Sequence, residues 1–354
     1  MKKVSASVAA LASLAALFLT VTAAPADAWE RLPATIFAVL PDGSTGPEGL
    51  TVGSDGNVYV TTFGFNASGP VDGNGQLFVF RPDGRLVRQV AVAGSSSHLL
   101  GLAFHPTTGA LLVLDFGSGQ VLRVDPATGA SSVFMTVTGS SGLNALTFDK
   151  AGNVYVTDSF QGIIWKTGPG GGAGTALVTD DLLKTTGVPP FGANGIEFND
   201  AGDTLFVANT GNDTIVKIPV ASDGTPGKPE IFVNSINGAD GLVFDRDGNL
   251  WVAANQADEI VVIDPTGKVI AKLGDFDGVD KDGVPHGLLF PASPAFSEDG
   301  EFLYVTNLAL DLRIVAAADV AVDSPWAAQV RSYTVSKIRA RIPPVREADE
   351  DGGE

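Results

Sequence analysis

The stretch Ala239-Asp240-Gly241-Leu242-Val243-Phe244-Asp245-Arg246-Asp247-Gly248-Asn249-Leu250-Trp251-Val252 decides the fold. A polar lead opens an apolar run, Asp247-Gly248 breaks it, and a second apolar run follows at once. Two short β-prone runs on either side of an Asp-Gly pair spell a β-hairpin rather than a helix. Outward along the chain the phrase recurs. Pro47-Glu48-Gly49-Leu50 leads through Asp55-Gly56 to Val58-Tyr59-Val60, and Leu99-Leu100-Gly101-Leu102 through Gly109 to Leu111-Leu112-Val113. Leu143-Asn144-Ala145-Leu146 precedes Ala151-Gly152 and Val154-Tyr155-Val156, and Ala193-Asn194-Gly195-Ile196 precedes Ala201-Gly202 and Leu205-Phe206-Val207. A divergent last copy, Ala292-Ser293-Pro294-Ala295, leads through Asp299-Gly300 to Leu303-Tyr304-Val305.

The copies follow one another at roughly fifty residues, with room for four strands each, which is the spacing of propeller blades. The third blade places further strands at 162–166 and 174–178, so the Gly-rich 168–174 between them reads as an outer hairpin. It lacks the Lys-Ser/Thr ending of a phosphate loop. Before the first copy, Ala34 to Leu40 (ATIFAVL) is an apolar strand with no partner of its own, and the last copy ends at Gln329 to Ile338. Pairing these two segments would close the ring and remove two open edges. The expectation is therefore all-β: a six-bladed β-propeller over residues 29–345, closed by an N-terminal strand in the last blade. Residues 311–328 read as an insertion in that blade.

The flanks carry other information. Lys2 and Lys3, an uncharged apolar run from Val8 to Val21, and Ala26-Asp27-Ala28 before Trp29 form the three parts of a secretory signal peptide over 1–28. The run is too short to span a bilayer. The expected location is periplasmic or secreted, with no membrane span. Residues 346–354 read as an acidic, solvated tail. A net charge of −18 opposes nucleic-acid binding, and the absence of Cys excludes disulfides, thiolate metal sites and Cys nucleophiles. The partner expected is a small molecule, and the chain is expected to be a monomer.

The position that opens each inner strand reads Glu48, Leu100, Asn144, Asn194, Asp240 and Ala292 around the ring. In a propeller these positions face one another across the axis. Four carry oxygen, and charges taken out of water need a partner. A divalent cation on all-oxygen ligands meets that need, Ca2+ first, with Mn2+, Mg2+ or Zn2+ as alternatives. Asn-Gly and Asp-Gly are also ordinary turn formers, but that explains neither Glu48 nor the shared register.

Among the three histidines, His98 lies two residues before Leu100 and is expected near the channel mouth, as a substrate contact or proton shuttle. His286 sits in the loop entering blade six, and His105 reads as structural. Asp275, Asp277, Asp280 and Asp282 lack the spacing of an EF-hand and read as a solvated loop. Asp115, Asp158, Asn209 and Asn307 end second strands, where they are expected to satisfy backbone groups.

Pro-Glu-Gly at 47–49, Leu-Asn-Ala at 143–145, Ala-Asn-Gly-Ile at 193–196 and Ala-Asp-Gly-Leu at 239–242 resemble the gluconolactonase, senescence-marker and luciferin-regenerating family, to which paraoxonases and diisopropyl fluorophosphatases are related. The resemblance covers about 34–310. It implies a six-bladed propeller with a central divalent ion held by Glu48, Asn194 and Asp240. Asn144 becomes a fourth ligand or a contact to substrate and to water on the metal. Ala145 replaces the usual Gly or Asp, and no Arg lies near that motif. The leading expectation is a metal-dependent hydrolase of lactones or related esters, the ion polarising the carbonyl and Asp240 serving as base; in an alternative, Asp240 attacks directly. The reading from another class is a non-catalytic cell-envelope scaffold pinned by a structural ion.

Overall fold

The computed structural model describes residues 31–316 and 323–341. The leader at 1–28, the tail at 346–354 and residues 317–322 of the insertion lie outside the described residues. Six four-stranded antiparallel units follow one another along the chain. Their inner strands are Pro47–Val52, Leu99–Phe104, Leu143–Phe148, Ala193–Phe198, Ala239–Phe244 and Pro291–Phe296. Each blade runs outward in sequence order except the sixth. There Thr334–Arg339 is the third strand and Thr35–Val39 pairs with it as the outermost, Thr35 opposite Lys337 and Val39 opposite Thr334. The ring closes as the sequence predicts, and the first strand's backbone groups find a ladder.

The turn between the inner and second strands has a local cause in each blade. Gly248 sits at φ +80°, a left-handed conformation open to Gly without strain. Asp245 accepts the Asp247 and Asn249 backbone N–H groups, and its other oxygen takes the Asn249 amide and the Trp251 indole N–H at 2.8 Å each. Asp149 does the same for Asn153 and Tyr155 in blade three. These Asp residues pin an aromatic side chain of the second strand at the tight end of the hairpin.

The core is divided among the seams. Tyr155, Ile164 and Val178 of blade three pack against Ile196, Leu205 and Val216 of blade four, and Trp251, Ala253 and Ile260 of blade five against Leu303, Val305 and Ile338 of blade six. A separate apolar cluster lies at the mouth of the channel, around Phe63, Leu100, Phe116, Phe290, Ala292 and Leu308.

The Gly-rich 168–174 does join the outer strands of blade three. It also does something the sequence did not foretell: Gly172–Ala173 pairs in parallel with Met135 and Thr136, adding a short fifth strand to blade two. Among the described residues no helix is long and apolar enough to cross a membrane.

Candidate metal centre

All six inner strands break their ladder at the same place. Pro47 faces Thr62 and Leu50 faces Val60, so Glu48 and Gly49 together stand opposite Thr61 alone. The same two-against-one break falls at Leu100, Asn144, Asn194, Asp240 and Ala292. A β-bulge bends the strand and re-aims the bulged side chain. That local break sets the ring of six at the head of the channel.

The residue after each ring position is small because the next blade comes close. A Cβ on Gly49 would strike the Leu100 carbonyl oxygen, one on Gly195 that of Asp240, and one on Gly241 that of Ala292. None of these glycines has a positive φ, so Asn194-Gly195 and Asp240-Gly241 are packing pairs rather than turns. Hydroxyls pin the ring across the seams. Thr61 donates to Leu100 O at 2.6 Å, Thr157 to Asn194 O at 2.6 Å and Thr306 to Glu48 O at 2.8 Å.

Glu48, Asn144, Asn194 and Asp240 are all buried, none more than 4% exposed. Their outer atoms are held from the second strands. Asn144 Nδ2 donates to Ser159 Oγ at 3.2 Å, Asn194 Nδ2 to Thr210 Oγ1 at 2.9 Å, and Asn255 Nδ2 to Asp240 Oδ2 at 2.9 Å. With both amide nitrogens turned to hydroxyls, each ring amide has its oxygen left to offer elsewhere. Glu48 Oε2, Asp240 Oδ1 and Asn255 Oδ1 are buried without a partner.

The two carboxyls are electrostatically unfavourable as they stand. Burial pushes Glu48 well above the ordinary range, and the nearby Asp240 charge adds to it. Burial raises Asp240 to about 7, against the hydrogen bond from the Asn255 side chain. Among the described residues no Lys, Arg or His pairs with either one. Orphaned carboxylate oxygens on the buried ring, with the orphaned Asn255 amide oxygen behind it, fit a hard divalent cation. No cluster of three or more His, Cys, Asp or Glu able to hold a metal ion occurs among the described residues; the ring offers the two carboxyls of Glu48 and Asp240 beside the amides of Asn144 and Asn194.

Asn255, Ser159 and Thr210 are the residues that the sequence reading missed. Each directly follows the second strand of its blade. Aligning that position around the ring gives Phe63, Phe116, Ser159, Thr210, Asn255 and Leu308, a visible division into polar and apolar. The residues expected to satisfy backbone do so. Asp115 accepts Ser96 N, Asp158 takes Gly142 N, Phe160 N and Gln161 N, Asn209 donates to Leu182 O and Lys184 O, and Asn307 accepts Leu289 N.

His98 is half-buried in an aromatic wall, its ring 5.5 Å from Phe63 and 5.1 Å from Phe65, with Nδ1 2.7 Å from Ser97 Oγ. Burial lowers its pKa, with Asp115 pulling the other way. His286 is remote from the ring, at 3.2 Å from Asp280 in a surface hairpin, and the buried His105 bonds Gly152 O at 3.0 Å. In the acidic loop Asp275 pairs with Arg31, while Asp280 accepts the Asp282 and Val284 N–H groups.

Fold and ring together define a six-bladed propeller with an oxygen-lined channel head. Residues 119–274 match the SMP-30/Gluconolactonase/LRE-like region, a span that includes the motifs at 143–145, 193–196 and 239–242, and residues 31–63 match the N-terminal region of strictosidine synthase-like proteins. No curated protein matches the sequence significantly. Solved structures share the fold at low identity. Regucalcin, a calcium-binding protein of Agrobacterium tumefaciens, is 20% identical over 89% of this chain and 100% of its own, with a TM-score of 0.58. A gluconolactonase of Xanthomonas campestris is 17% identical over 78% and 88%, with a TM-score of 0.57. Virginiamycin B lyase of Staphylococcus aureus is 14% identical over 85% and 98%, with a TM-score of 0.52.

Proposed function

We propose that this chain is an exported, divalent-metal-dependent hydrolase of lactones or related esters. The observation that carries the reading is the pair of buried carboxyls, Glu48 and Asp240, each with a free oxygen and no cationic partner. The gluconolactonase-like region and the gluconolactonase and calcium-binding structures of the same fold support it. The virginiamycin B lyase neighbour is a reminder that one propeller hosts several reactions.

Glu48, Asn194 and Asp240 would hold the ion, with the Asn144 amide oxygen as a fourth ligand or a hydrogen-bond acceptor for water and substrate. When bound, the ion supplies positive charge that polarises a carbonyl and stabilises the developing oxyanion. Asp240 serves as general base through Oδ1, the oxygen left free while Asn255 fixes Oδ2. Ser159 and Thr210 keep the two ring amides from rotating their nitrogens inward. His98 is placed to meet a substrate from the aromatic side. The 1–28 leader supports export, and N-terminal sequencing of the periplasmic and culture fractions should find a chain beginning at Trp29.

A second reading, a scaffold pinned by a structural ion, draws on the near-complete burial of the ring. The test is metal analysis of the purified protein followed by a lactone and aryl-ester panel. A bound divalent ion with turnover that chelation abolishes is the expected result. An ion that is present while every panel member survives would favour the scaffold, and a metal-free, chelator-insensitive protein would end both readings.

A further inference from the structure

We propose that the channel holds a second binding site beyond the ring of Glu48, Asn144, Asn194 and Asp240. It takes a short free primary amine as its ammonium, with the charge on Glu197 and the carbon chain against Ala103, Val243 and Ala295. The site stands on its own observations and does not depend on the hydrolase reading.

Three residues past each ring position, the inner strands bring a second set into register: Thr51, Ala103, Thr147, Glu197, Val243 and Ala295. Three strand residues rise about 10 Å, so the two rings are separate levels of one channel. A cavity of about 170 Å³ lies there, lined by Gly101, Gly195 and Gly241 next to the first ring and by Thr51, Glu197 and Val243 at the second. The side chains of the first ring that carry oxygen are no more than 4% exposed, whereas Thr51, Ala103, Glu197, Val243 and Ala295 are half-buried. Solvent therefore reaches the cavity from the second ring, at the end of the channel away from Glu48 and Asp240.

Glu197 is the one titratable side chain on the cavity wall. Thr147 Oγ1 donates to its Oε1 at 2.9 Å, and among the described residues no Lys, Arg or His pairs with it. Burial raises its pKa to about 7, against that hydrogen bond. A carboxylate drawn out of water without a counter-charge is costly, and a bound cation relieves the cost.

The wall selects the cation. Ca2+ takes about six to eight oxygens, but the polar side chains here are Glu197 and the hydroxyls of Thr51, Thr147 and Ser293, beside apolar Ala103, Val243 and Ala295. A divalent ion would also leave one positive charge unmatched against that wall. A primary ammonium brings a single charge and three donors for the carboxylate and hydroxyls. Its methylene stem packs on the apolar positions as a lysine stem does. A cavity of roughly 150 Å³ admits benzene, so this one has room for the ammonium and a short chain.

The experiment titrates the full mature chain, loaded with Ca2+, with n-butylammonium chloride and with 1-butanol, its neutral counterpart, in a calorimeter. Butylammonium is expected to saturate one site per chain and to bind about tenfold or more tightly than butanol. Glu197→Gln keeps the shape and removes the charge, and should weaken butylammonium by a similar factor while leaving butanol unchanged. Wild-type affinity for butylammonium should rise about tenfold from pH 6 to pH 8, as Glu197 ionises, and that rise should vanish in the variant. Absence of saturable butylammonium binding, or equal affinities in wild type and Glu197→Gln, would overturn the proposal. So would a second Ca2+ per chain that Glu197→Gln removes, since the site would then be a divalent-ion site. Tighter binding of Nα-acetyl-lysine methylamide than of butylammonium would overturn the free amine in favour of a partner's lysine side chain.

Discussion

Blades three to five and blades six to two build the same bulge at the same place and fill it with opposite chemistry. On the first half, Asn144, Asn194 and Asp240 sit on Ser159, Thr210 and Asn255; on the second, Leu100 and Ala292 sit against Phe116 and Leu308. Glu48, on blade one, stands beside Phe63 in sequence register yet faces Asp240 electrostatically. The backbone device is therefore indifferent to what it carries. Six identical bends provide positions, and side chains at two registers decide whether each position binds or packs.

Altering one half at a time tests that division. The largest change is expected from Asp240→Asn, which keeps size and one oxygen but removes the proposed base and a charge. Ester or lactone turnover at saturating Ca2+ should fall by a factor of about 10² to 10⁴, measured at matched ion occupancy. Wild-type rates in that variant would remove Asp240 from the chemistry. On the apolar half, Phe116→Ala should cost about 3–5 kcal/mol in urea unfolding while leaving the stabilisation by Ca2+ unaltered. A loss of the ion response in that variant would show that the halves are not separable.

Glu48→Gln should change sign with the ion. Without it, the substitution removes a carboxyl that burial, and secondarily the charge of Asp240, disfavours, so the chelated variant should melt above chelated wild type. With Ca2+ at a hundredfold excess over Kd, wild type should gain about 2.7 kcal/mol and the variant clearly less. Two parallel melting curves, unaffected by chelator, would count against a cation at the ring.

The smallest effect concerns the support of the apolar half. Asp258 accepts the Phe290 N–H at 2.7 Å, and burial together with Asp323, and to a lesser degree Asp275, raises it to about 8. The folded chain then holds a proton that the unfolded chain releases near pH 4. Folding stability should fall as pH rises from about 4 to 8, since the native state binds more protons there. Asp258→Asn should flatten that slope and stabilise the protein at pH 8. An unchanged pH profile would place the proton elsewhere.

What the sequence determined by itself was the part written in short range. Apolar runs broken by Asp-Gly and Ala-Gly, repeated at a near-constant interval, gave hairpins and six blades, because strand period and turn conformation depend on residues a few positions apart. The apolar strand at 34–40 announced its own need for a partner, and Thr334–Arg339 supplied it. Counting along the repeats also brought out the ring of Glu48, Asn144, Asn194 and Asp240. The tertiary structure alone decided why Gly follows the ring residues, since the carbonyl that forbids a Cβ at Gly49 belongs to the next blade. It alone joined Asn255 to Asp240 across a hairpin, and gathered Phe63, Phe116, Phe160 and Phe191 from four separate loops. Contacts between blades leave no periodic mark on a single strand, because each is set by where a distant bulge aims its side chain.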